Sequence, residues 1–205
     1  MLTSFFPVSN LQNICHSFTY NGWIRFLSLA SVTLPQQKIS MAELHFYTAL
    51  LAEKQQLAPQ EASVLDEEIS ILLHKLKFIP LEQRPSVLLV RQDTGFQPVY
   101  NEKFSDMVQI AGGKLLAEKF DNPDILLIIQ NNESLYGEMG ILMEDDLLNR
   151  TNALRSNQIF IVQKSDLGDH NDDFLRDVEI CAEIIQPKYF IYGRQGQDWV
   201  KFDIV

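Results

Sequence analysis

Three short apolar runs without polar alternation mark the second half of the chain: Ser86–Val90, Asp124–Ile129 and Ile159–Val162. Each is rich in Val, Ile, Leu or Phe, the pattern of a strand buried on both faces. Between the first two, Phe104, Met107, Val108 and Ala111 recur at helical spacing, and Gly112-Gly113 ends the helix. Strand, long polar loop, helix, Gly-Gly and strand form a βαβ unit, whose two strands lie parallel.

The rest of the chain is read around this unit. Trp23–Leu34 is apolar, ends at Pro35 and reads as a strand. Ser40 opens a helix with the stripe Met41, Leu44, Tyr47, Thr48 and Leu51, and Glu43 stands three residues later as a capping box. After Pro59 comes a second stripe, Val64, Leu65, Ile69, Leu72, Leu73 and Leu76, bounded by Pro80. The two helices make either one broken rod or a hairpin. Glu138–Asn157 reads as short helix. Phe174–Ile185 is the last clear helix, with Phe174, Val178, Cys181, Ala182 and Ile185 on one face, and the aromatic tail after Pro187 adds a closing strand or hairpin. The expected fold class is α/β: a parallel sheet flanked by helices over residues 81–205, one complete Rossmann-like lobe, preceded by a helical segment at 40–80 and a short N-terminal part at 1–39.

Composition narrows the function. A net charge of −10 argues against nucleic acid as a partner. The two cysteines, Cys15 and Cys181, lie far apart with no C-x-x-C, so neither a disulfide framework nor a zinc site is expected. Residues 1–18 lack a basic start and a continuous apolar core, so no export signal is read there and the chain taken literally is cytoplasmic.

Ligands of open α/β sheets bind outside the carboxyl ends of the strands. Here those ends carry Gln92, Phe96, Gln97, Tyr100 and Asn101, then Gln130, Asn131, Asn132 and Tyr136. These aromatics and amides can stack and hydrogen-bond, and they include no nucleophile–base pair. No catalytic residue, resident cofactor or metal ligand is assigned. The acidic loop Asp166, Asp169, His170, Asp172 and Asp173 has metal-ligand types, but its spacing matches no EF-hand and its last acids precede a helix, where they favour the N-terminal dipole. Glu144-Asp145-Asp146 reads as a solvated face.

The order of these segments carries a resemblance. Arg84–Val90, Ala111-Gly112-Gly113, Pro123-Asp124-Ile125-Leu126, Ser156–Val162 and Arg176–Phe190 follow one another after a long helical segment. Together they resemble the second lobe of the substrate-binding proteins of cobalamin, iron-siderophore and haem ABC importers, over about residues 40–192. The resemblance implies two α/β lobes joined by a linker helix at 40–80, a metal-complex ligand, an importer permease as partner and a periplasmic location. Residues 1–39 would be the remnant of a first lobe, so self-association or a partner supplying the missing lobe is expected. Apolar stripes on the helices at 40–77 would then stay partly uncovered. The alternatives are a cytosolic metal-dependent enzyme or accessory domain using loop 166–173, or a structural domain without a ligand.

Overall fold

The computed structural model describes residues 43–118 and 121–204. The strand expected at Trp23–Leu34 and the helix start expected at Ser40 lie outside the described residues.

Helix α1, His45–Leu57, begins five residues after Ser40, and Leu44 at its N-cap supplies no side-chain bond. The Ser40 half of the expected capping box lies outside the described residues. A distant element caps the first turn: the Tyr47 N–H donates to Asp106 Oδ2 at 2.9 Å. Helix α2, Pro59–Leu76, follows after Ala58, with proline at its first turn, where no amide donor is needed. The two helices fold into a hairpin rather than a rod, and the Tyr47 hydroxyl donates across it to Asp66 Oδ1 at 2.8 Å. Their stripes are mostly covered: Tyr47 and Leu50 on α1, and Ala62, Leu65, Ile69, Leu72 and Leu76 on α2, are buried. Val64 falls off that spacing and is 56% exposed.

The sheet is built from β1 (Ser86–Arg91), β2 (Gln97–Pro98), β3 (Lys114–Leu115), β4 (Ile125–Ile129), β5 (Ile159–Val162) and β6 (Trp199–Phe202). Its order is β2-β1-β4-β5-β6, and β3 pairs with β1. Strands β1, β4 and β5 are parallel, as expected of continuous apolar runs, and β3, a two-residue strand not expected from the sequence, is parallel to β1. The edges of the sheet are antiparallel. Strand β2 folds back antiparallel on the end of β1, and β6 lies antiparallel on β5. The first reversal uses Gly95 and Phe96, both left-handed at φ 67° and 60°. The second is steered by Glu183, whose carboxylate accepts the N–H groups of Tyr192, Gly193 and Arg194 and the indole N–H of Trp199.

Helices cover both faces. The α1–α2 hairpin, α3 (Glu102–Ile110) and α7 (Phe174–Ile185) pack on one, around Val87, Leu89, Leu127, Phe160 and Val162. Helices α4 (Leu135–Met143), α5 (Asp146–Asn149) and α6 (Asn152–Arg155) pack on the other, around Leu88, Val90, Leu126, Ile128 and Ile161. Alternate side chains of each strand thus enter different cores, which is why these runs show no polar positions. Gly112 ends α3 at φ 87°, and a Cβ there would stand 3.0 Å from Leu76 and Gln186. Glycine is required both for the left-handed turn and for this close approach.

Candidate functional site

The topology marks one place on the sheet edge. From β1 the chain runs through α3 on one face to β3, outside β1. From the adjacent β4 it runs through α4, α5 and α6 on the opposite face to β5. Two neighbouring parallel strands therefore send their connections in opposite directions, and the crevice between their carboxyl ends is the position at which open α/β sheets bind ligands.

Gln92 organises that crevice. It is buried, and its side-chain carbonyl accepts the N–H groups of Asn131 at 2.8 Å and Asn132 at 3.0 Å. Its amide donates to Ser134 Oγ at 3.0 Å and to Glu138 Oε2 at 3.2 Å. Ser134 in turn donates to Glu138 Oε1. Gln130, also buried, donates to the Asn132 carbonyl at 3.0 Å. Both glutamines are thus committed to shaping the loop after β4, and a buried amide with its bonds filled is a rigid element.

The other residues expected here fall in different places. Phe96 is buried in the core on the α4 side, against Val90 and its neighbours. Asn101 caps α3, accepting the Phe104 N–H at 2.8 Å. Gln97 and Asn131 are exposed, and Tyr136 is half exposed on the first turn of α4. Tyr100 is exposed too, but it lines a cavity of about 520 Å³ at the outer edge of β1, beside Leu81 and Lys114. Asn131, Asn132 and Tyr136 are thus exposed after β4, with the loop tied to the end of β1 through Gln92, while Phe96 is buried in the core and Tyr100 lies at the outer edge of β1.

Charge near the crevice is paired. Arg91, at the end of β1, bridges Asp93 at 3.2 Å and Asp169 at 3.1 Å. Lys164, just past β5, holds Asp166 at 3.1 Å, Asp173 at 3.2 Å and the fully buried Asp177 at 3.0 Å. Burial pushes the Asp177 carboxyl up, against the pull of the Gly168 N–H and the Lys164 ammonium. Lys54 reaches Asp172 at 2.7 Å from α1. The four acids of loop 166–173 are therefore each paired with one of three cations, and Asp173, at the N-cap of α7, makes no side-chain capping bond. Among the described residues no group of three or more His, Cys, Asp or Glu side chains is placed to hold a metal ion. The residues that organise this end of the molecule, Arg91 and Lys164, sit one at the last position of a strand and one just beyond a strand, a placement visible in the sequence. Asp93 and Asp166 lie two residues from these cations, but Asp169, 78 residues from Arg91, is a partner that nothing in the sequence pairs with it.

No family model matches the sequence, and no curated protein matches it. Solved structures do match in fold. A periplasmic heme-binding protein from Pseudomonas aeruginosa superposes with a TM-score of 0.54 at 16% identity, over 70% of this chain and 61% of its own. IsdE of S. aureus, solved complexed with heme, gives 0.53 at 14% identity, over 70% of this chain and 65% of that one. An ABC transporter substrate-binding protein from Listeria monocytogenes EGD-e gives 0.53 at 16% identity, over 74% and 67%. The chain spans about half to two thirds of the length of the solved proteins it matches. Two of these neighbours are described as binding proteins, and two by their descriptions bind heme. Among the described residues no helix is long and apolar enough to cross a membrane. The described residues have the α/β fold of the substrate-binding proteins of ABC transporters.

Proposed function

We propose that the chain serves as a ligand-binding lobe of an ABC-importer substrate-binding protein, without catalysis, and that its ligand is a metal complex such as haem, cobalamin or a ferric siderophore. The observation that carries this reading is the crevice between β1 and β4, where connections diverge to opposite faces and a loop rigidified by Gln92 presents Asn131, Asn132 and Tyr136 to solvent. A preformed surface of amides and an aromatic ring suits a large, flat or globular, partly apolar ligand, because it stacks and hydrogen-bonds without reorganising. The heme-bound neighbour supports the ligand class. The reading includes a permease partner, a location outside the cytoplasm, and a second lobe facing this edge, supplied by other residues or another chain.

The test is a titration of the full chain with haemin, cyanocobalamin and a ferric siderophore, read by quenching of tryptophan emission. At least one of them is expected to bind with a dissociation constant below about 100 μM, or ~5.5 kcal/mol. Failure of all three at that concentration overturns the receptor reading.

A further inference from the structure

A second site lies at the outer edge of the sheet, away from the crevice, and does not rest on the receptor reading. It is the cavity of about 520 Å³ between the turn Leu81–Gln83, α3 and β3. Arg84 lines it while only 9% exposed. Its guanidinium donates to two carbonyls, that of Gln109 at 3.1 Å and that of Leu76 at 3.5 Å, and its Nε–H is buried with no acceptor. Both carbonyls belong to the last turns of helices, α3 and α2, so the charge meets the negative ends of two helix dipoles. That is partial compensation. Among the described residues no carboxylate pairs with Arg84, in contrast to Arg91, Arg176 and Arg194, each of which holds at least one acid.

A buried cation without a counter-ion is costly unless something else supplies the charge. The rest of the lining has what an anion needs. Lys114 adds a second cation, and Ser105 and Tyr100 carry hydroxyl donors. Glu82 is the one carboxylate in the lining, and it is exposed. Leu81 and Leu115 supply apolar wall. A guanidinium is a planar fork that pairs with a carboxylate through two hydrogen bonds, and the apolar wall favours a ligand with a hydrocarbon body over a bare ion. We infer that this cavity binds a small organic carboxylate, its charged end between Arg84 and Lys114 and its apolar body against Leu81 and Leu115.

Burial lowers the Arg84 pKa from its ordinary value, and no acid counteracts the shift, in keeping with a charge that lacks a full partner. Arg84 links the site to the C-terminal ends of α2 and α3 together, so occupancy would also stiffen the join between the helical hairpin and the sheet.

The experiment uses the isotope-labelled full chain, with benzoate and inorganic phosphate as probes and backbone amide shifts as readout. Benzoate is expected to give saturable shifts at Ser105, Gln109, Gly113 and Lys114, with a dissociation constant of about 1 mM or tighter. Lys114→Gln changes an exposed side chain, so the fold persists, and it should weaken benzoate roughly threefold. Arg84→Gln should abolish the shifts, and if that variant does not fold, Lys114→Gln decides alone. Absence of saturable shifts up to about 20 mM, a concentration well beyond that affinity, overturns the proposal. So do shifts that Lys114→Gln leaves unchanged. Saturation by phosphate but not benzoate would overturn the assignment of an organic carboxylate.

Discussion

The side-chain carbonyl of Gln92 accepts the backbone N–H of Asn131 at 2.8 Å, tying the end of β1 to the loop after β4. The same oxygen takes the Asn132 N–H, and the amide half of the side chain reaches Ser134 and Glu138. One buried residue therefore sets the shape of the crevice. Gln92→Ala strips acceptors and donors from a buried network, which costs about 1–3 kcal/mol. The expected outcome in urea denaturation is a midpoint lowered by that free energy divided by the slope, with the slope unchanged, together with faster amide exchange at 131–134.

Acid should unfold the protein through particular carboxylates. Burial pulls Asp124 up, but the Ser86 N–H and hydroxyl and the Asn152 amide outweigh it, leaving its pKa below the ordinary 3.8. Burial likewise pulls Glu183 up, yet the Trp199 indole and three backbone N–H groups hold it below 4.5. A folded pKa below the unfolded one means stability that is complete above the unfolded value and lost as pH falls through the folded one. Stability should thus decline from about pH 5 downward, and Asp124→Asn should flatten that decline. Urea midpoints across this range check it. An undiminished slope in the variant would remove Asp124 from the account.

Gly112→Ala meets two obstacles at once, a left-handed φ of 87° and side chains of Leu76 and Gln186 at 3.0 Å. A loss of about 1–3 kcal/mol is expected in thermal or urea unfolding. The same change at Gly137, where a Cβ meets nothing within 4 Å, should be far milder.

Asp106 of α3 caps the first turn of α1 through the Tyr47 N–H. Asp106→Ala should cost about 1–2 kcal/mol, as loss of an N-cap acceptor does. Asp106→Asn keeps an oxygen acceptor and should recover most of it, which separates capping from simple packing.

That cap shows where the sequence could be read and where it could not. Strands β1, β4 and β5 and helix α7 were legible because their apolar patterns have one physical explanation, burial on two faces or along one stripe. The residues Ile159–Val162 and Phe174–Ile185 were expected and are found with those bounds. The cap of α1 was not legible, because its acceptor lies 59 residues away. The turn 92–96 reads as polar loop, yet its Phe96 is buried, since a five-residue reversal with left-handed residues turns the ring inward. Within the site, polarity and position at a strand end pointed to Gln92, Gln130 and Tyr136 alike. Only tertiary contacts separate the two buried staples from the exposed ring.

The central claim is that a metal-complex ligand binds at the carboxyl ends of β1 and β4. Amide hydrogen exchange of the full chain, with and without saturating haemin, cyanocobalamin or ferric siderophore, tests it most directly. The account predicts added protection at 92–97 and 131–136 with one of these ligands, loss of that protection in Tyr136→Ala, and no change at 81–84. Unchanged exchange at 92–97 and 131–136 with all three, or protection confined to another part of the chain, would contradict it.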